Sequence, residues 1–284
     1  MSELIVYKSN GLVVSRYDLT EQETKLISYG IAKLNPTLTN PTKEDRTVII
    51  PYKEYAEFMG MSDKLAWTNL NNAISNLMSR TIEIINPDPK AEITKIIFQW
   101  VNRAEFNQQN QAVELTFSKE IKPFLFNLNE FVKYKLVHIK SLNNKYSMRF
   151  YEILLKLLGE TKKTKADVEV PLSEFKDMLV LEANYPTYKQ FNQRILKMIV
   201  NDVNNNSNLN VSFTTKGRPV DTLVFSIEKQ EQKKIIEEIA TVEPKRKTHQ
   251  QRLDEERITK TKYILDDHKA GKITLSEKEF DLLC

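Results

Sequence analysis

The sharpest chemical signal in this sequence lies between Tyr188 and Val203. On a wheel of about 100° per residue, Lys189, Gln190, Gln193, Arg194, Lys197 and Asn201 fall on one side. Tyr188, Phe191, Ile195, Met198 and Ile199 gather on the other. The polar side carries no acid, because Asp202 turns back toward the apolar side. Glutamine and asparagine can pair bidentately with adenine, arginine and lysine with guanine, and all four can hold phosphate. A solvated surface helix usually mixes signs. The residues are those of a helix that reads duplex DNA, provided its neighbours place it in a groove.

Those neighbours supply further candidates. Leu209-Asn210-Val211-Ser212-Phe213 and Leu223-Val224-Phe225-Ser226-Ile227 alternate as two strands. Between them lies Lys216-Gly217-Arg218, where glycine permits a tight turn and two cations can straddle a phosphate or enter a minor groove. Lys140, Lys145 and Arg149 surround the start of a helix expected at about 141–158, with Ser141 as its cap, and add possible phosphate contacts. An earlier helix, expected at about 64–79, turns Thr68, Asn71, Asn72, Ser75, Asn76 and Ser79 outward, with no charge between Lys64 and Arg80. An uncharged polar face suits a weaker DNA contact or a protein partner.

Catalytic chemistry is not expected. The six glycines form neither GxGxxG nor GxxxxGK[ST], so no phosphate-cradling loop exists. His138, His249 and His268 are scattered, and Cys284 is the single cysteine, which excludes an intrachain disulfide and a cysteine-based metal cluster. No His-x-His pair accompanies a tyrosine, as metal-dependent DNA nicking would need. The chain is read as a non-enzyme without cofactor or metal. It holds no run of about 18 apolar residues and no signal-peptide pattern, which points to a soluble, cytoplasmic protein with no membrane role.

The elements that must position these side chains occur twice. Val48-Ile49-Ile50-Pro51-Tyr52-Lys53-Glu54-Tyr55 is echoed by Val168-Glu169-Val170-Pro171-Leu172-Ser173-Glu174-Phe175. In each, a β-branched run stops at a proline, which cannot donate to a ladder and suits a helix start. Before the first copy, Thr20-Glu21-Gln22-Glu23 reads as a capping box, and Gly60 ends the helix of about 52–59. Three β-rich runs, Thr81–Ile85, Ile93–Val101 and Val113–Phe117, close the first unit. In the second, helices at about 141–158 and 173–180 and one opened by Pro186 precede the hairpin. Helix, strand, helix, helix, hairpin is the winged-helix order. The fold expected is α+β, two tandem winged-helix domains from an internal duplication, followed by a charged tail.

The net charge of +4 divides unevenly. Residues 1–130 hold 14 Lys+Arg against 16 Asp+Glu, and 131–228 hold 15 against 10. Residues 131–228 are therefore expected to be the principal DNA-binding domain, and 1–130 a secondary contact and dimerisation domain. The tail, 229–284, is expected to be partly helical or disordered, with a linker at Pro244–Lys247 and short helices at Glu228–Ala240 and Ile273–Cys284.

The chain resembles the iteron-binding initiators of theta-replicating bacterial plasmids. The resemblance is carried by Leu19–Glu23 with Lys25-Leu26-Ile27, by the block Val113–Leu125 joining the repeats, by Lys145–Glu152 and by Phe191–Leu196, in order across about residues 4–228. It implies binding as a monomer to direct repeats at an origin, opening of the duplex, and recruitment of host helicase and initiator. It also implies dimers through the first winged helix that repress the protein's own gene. Two other readings stand beside it: a dedicated transcriptional regulator of the same fold, and an origin-nicking enzyme, which the missing His-x-His pair disfavours.

Overall fold

The structure, a computed structural model, describes residues 3–88, 92–181 and 184–230. The chain opens with strand β1 (Ile5–Ser9), short helix α1 (Asn10–Val14) and long helix α2 (Glu21–Ala32). The capping box expected at Thr20 is formed: its hydroxyl accepts from Glu23 N at 3.3 Å, and the Glu23 carboxylate accepts from Thr20 N at 2.8 Å. Strand β2 (Thr47–Pro51) then feeds α3 (Tyr52–Met59) at Pro51. Gly60, at φ 71°, stops α3 and returns its N–H to Ala56 and Glu57 carbonyls. Helix α4 (Asp63–Leu77) follows, capped by Ser62.

Four strands rather than three complete the first unit: β3 (Thr81–Asp88), β4 (Ile93–Gln99), β5 (Val101–Asn107) and β6 (Ala112–Phe117). The run expected to be one strand breaks at Trp100, whose indole is fully buried. Before this bend β4 pairs with β3; after it β5 pairs with β6. The wing sheet has the order β2-β6-β5, and the hairpin β3–β4 is an addition.

After the single turn α5 (Lys122–Leu125), the second unit opens with β7 (Phe131–Lys135) and α6 (Leu136–Ser141), which sequence reading missed, and then α7 (Lys145–Thr161). The helix expected at about 141–158 is α7, and Ser141 instead ends α6. Asn144 caps α7, accepting from Tyr146 N at 2.8 Å, while the Ser141 hydroxyl donates to Val137 O inside α6. Strand β8 (Lys165–Pro171) leads at Pro171 into α8 (Leu172–Met178). A continuous helix, α9, is built from Tyr188–Phe191, Asn192–Leu196 and Lys197–Asn206, and the hairpin β9 (Leu209–Lys216) and β10 (Thr222–Lys229) comes after it. Its sheet order, β8-β10-β9, reproduces that of the first unit. The joints match in detail: Tyr52 N donates to Gln111 O at 2.9 Å, and Leu172 N to Asp221 O at 2.7 Å. The tail helices and linker expected past residue 230 lie outside the described residues.

The two opening strands pair with each other, Ile5↔Lys135 through Ser9↔Phe131, across the boundary expected at residue 130. Strand alternation turns Lys8 into the core with Val6, and the ammonium meets the Glu152 carboxylate of α7 at 2.6 Å, with both residues about 1% exposed. Tyr134 of β7 donates to the same carboxylate, and burial, then Glu152, push its phenol far above the usual tyrosine range. Tyr17 donates to the other oxygen at 3.4 Å and sits edge-on to Trp100. A buried pair of this kind is costly to break, because one charge is left without compensation. Lys8→Met should lower unfolding stability in urea by about 3–5 kcal/mol. Lys8→Met combined with Glu152→Gln, which removes both charges and keeps an acceptor for Tyr134, should recover at least half of that loss.

Candidate nucleic-acid interface

The helix singled out by its polar face is α9, the helix that precedes the wing hairpin of the second unit. Thr187 caps it in a second capping box: its hydroxyl accepts from Gln190 N at 3.3 Å, and the Gln190 side-chain oxygen accepts from Thr187 N at 3.5 Å. Gln190 was expected to read bases, but its carbonyl oxygen is committed to this cap. Lys189, Gln193, Arg194, Lys197 and Asn201 are all exposed, so the expected polar face is open. Asp202 faces away from it, accepting from Asn143 N at 3.2 Å and from the Asn206 amide at 2.7 Å.

The apolar face differs from the regular wheel. Phe191, Ile195 and Ile199 are buried as expected, but Leu196 and Val203 join them and Met198 is 37% exposed. The cause is the wide π turn at Asn192–Leu196. It adds one residue to a turn and rotates the remainder of the helix by roughly 100°. Hence adjacent residues Ile195 and Leu196 both point inward.

Asn204, which sequence reading did not single out, fixes α9 to the wing. Its amide donates to Val211 O at 2.8 Å and accepts from Val211 N at 2.7 Å, satisfying both backbone groups on the outer edge of β9. The only sequence signal is the asparagine run itself at the helix end.

At the wing tip, Gly217 has φ 87°, and a Cβ there would lie 2.7 Å from the Asp221 carboxylate, so the turn needs glycine. Arg218 is exposed, whereas Lys216 is paired with Glu169 at 2.5 Å. The pair is exposed and weak, and an incoming phosphate can replace the carboxylate.

The three cations near α7 divide. Lys145 reaches Asp18 at 2.6 Å over the Tyr146 ring. Lys140 lies over Phe58, and burial, with Lys25 nearby, holds its ammonium below the usual lysine range. Arg149 is no phosphate ligand. Its guanidinium is buried, stacks 3.8 Å from the Tyr17 ring centre, and donates to Ser15 O at 2.8 Å and Met178 O at 2.6 Å. A basic residue near the start of a helix looks exposed in sequence; here Ser15 of the first repeat and Met178 cover it. Next to those two carbonyls, Arg16 pairs with Asp177 and bridges Glu83 through its backbone.

On α4 of the first unit, Thr68, Asn72 and Ser75 are exposed and Asn71 is half-buried. Thr68 and Ser75 hydroxyls donate to carbonyls one turn back, and the Asn71 amide donates to Trp67 O at 2.7 Å. Among the described residues, no group of three His, Cys, Asp or Glu side chains could hold a metal ion, and no helix is long and apolar enough to cross a membrane.

Two family models match this arrangement: the initiator replication protein WH1 domain over residues 5–156 and the initiator Rep protein WH2 domain over residues 171–227. The chain belongs to the replication initiator protein family. The first match takes in β7, α6 and most of α7, in keeping with the pairing of β7 to β1. A curated relative from Escherichia coli, described as a replication initiation protein, is 49% identical over 239 residues, 84% of this chain and 74% of its own length. Among solved structures, the Pi initiator protein in complex with iteron DNA superposes with a TM-score of 0.69, covering 81% of this chain and 99% of that one. At 17% identity, that likeness speaks to the fold: two winged helices in tandem.

The site separates supporting from exposed cations. Arg149→Ala should lower unfolding stability by about 2–4 kcal/mol, since it removes two charge-assisted hydrogen bonds and opens a cavity. Lys189→Ala should leave stability within about 0.5 kcal/mol. Urea unfolding of both variants checks the division.

Proposed function

We propose that this protein initiates plasmid replication by binding directly repeated origin sequences through α9 and the β9–β10 wing, helping to open the duplex and recruiting host helicase and initiator. The observation that carries this reading is the open, acid-free strip of Lys189, Gln193, Arg194, Lys197 and Asn201 on α9 of the second winged helix. Membership of the initiator family supports replication over a dedicated regulator. The iteron DNA bound to the Pi initiator supports direct repeats as the target.

In this reading the second unit supplies the main DNA contacts. Arg218 and Lys216 hold phosphate from the wing, and Lys140 and Lys145 act as further phosphate contacts. The uncharged α4 face, Thr68, Asn71, Asn72 and Ser75, makes the weaker contact. The protein performs no catalysis, needs no cofactor, and acts in the bacterial cytoplasm.

Dimerisation, with repression of its own gene, belongs to the first unit. The added hairpin exposes Ile85, Ile93, Ile96 and Ile97, the last by 55%, and a cluster of exposed isoleucines on one hairpin suits a second copy.

Arg194→Ala should weaken specific duplex binding by about 1–3 kcal/mol and relax sequence preference at one position. With about four to six phosphates neutralised, log K against log salt should have a slope of roughly −4 to −5 for the parent protein. Anisotropy titrations on the whole chain measure both, since cutting at residue 130 would take β1 from β7. Equal binding of specific and random duplexes by parent and variant would overturn the reading. Ile97→Lys should convert dimers to monomers in sedimentation without weakening binding to a single repeat.

A further inference from the structure

The π turn brings out a side chain that the helical wheel would bury. Met198 stands exposed with Arg194 four residues before it, Lys197 beside it and Asn201 three residues after. Residues three and four apart on a helix share one surface, so Met198 lies between Arg194 and Asn201, and an apolar side chain sits inside the polar strip rather than at its border. Leu196 and Val203 fill the inward positions instead, and Met198 is not among the residues of the core cluster.

We propose that Met198 is a specificity-determining residue of α9 and packs on the 5-methyl group of a thymine in the major groove. The proposal rests on the DNA-reading function given above. Thymine is the one base that presents a methyl group there, and specific readers meet it with apolar side chains. Methionine suits the task because its thioether is flexible and polarizable and adapts to a small apolar target. The neighbours complete the arrangement. Arg194 and Lys197 can address guanine or phosphate, and Asn201 can pair with adenine. Met198 supplies the apolar reading that none of them can make.

The test uses the full chain. Its preferred duplex is first enriched from a random library, and each thymine of that duplex is then replaced singly by deoxyuridine, which lacks only the methyl group. For the parent protein, at least one such replacement should weaken binding about three- to fivefold, the worth of one buried methyl group. Met198→Ala should bind the thymine and deoxyuridine duplexes equally at that position, and Met198→Leu should keep most of the discrimination. Matched thermal midpoints for the three proteins show that only the contact has changed. Unchanged thymine-to-deoxyuridine ratios in Met198→Ala, or a parent protein insensitive at every thymine, would overturn the assignment of Met198 while leaving the function of α9 intact. Enrichment of no sequence at all would overturn both.

Discussion

The arrangement of the two repeats turns on a charge held out of water. Lys8 and Glu152 come from opposite repeats, and each is tolerable in the interior only because the other is there. The pair fixes β1 against β7 and α7 beneath both, with Tyr134 and Tyr17 satisfying the remaining carboxylate positions. One turn earlier on α7, Arg149 stacks on Tyr17 and ties Ser15 to Met178. That chain of contacts runs from the first strand to the end of α8, the helix preceding α9. The orientation of the second winged helix is thus anchored in the first.

Duplication supplied two equal scaffolds, and charge made them unequal. Both units join strand to helix at a proline and close the joint with the same backbone hydrogen bond. The corresponding helices α9 and α4 then differ in kind. Helix α9 presents cations and amides without an acid, residue types that attract phosphate at a distance and can pair with bases. Helix α4 has hydroxyls and amides that partly bond back to their own backbone, and it brings little long-range attraction. The hairpin inserted after α4 gives the first unit four exposed isoleucines, whereas the exposed large apolar side chains among the described residues of the second are Phe131 and Met198.

Much of this was legible in the residues. The winged-helix order, the capping box at Thr20, the stop at Gly60 and the two proline joints arise from local rules of propensity and capping. The polar strip of α9 comes from periodicity and the absence of acids. Expectations failed where a distant segment decided the outcome. Trp100 broke an apparently continuous strand because its indole entered the core. Arg149, read as a possible phosphate ligand from its place near a basic helix start, is covered by residues far away in sequence.

The sequence by itself therefore determined most of the helices, the duplication and the family of chemistry on one helix, because those depend on neighbours within a few residues. Only the tertiary structure decided that β1 pairs with β7, that Lys8 and Glu152 meet 144 residues apart, and that Asn204 holds α9 to the wing. It also decided the face of Met198. A regular wheel assumes 3.6 residues per turn throughout, and packing Ile195 and Leu196 together into the core required a wider turn. Which side chains of α9 stand exposed is then set by how its buried side is filled.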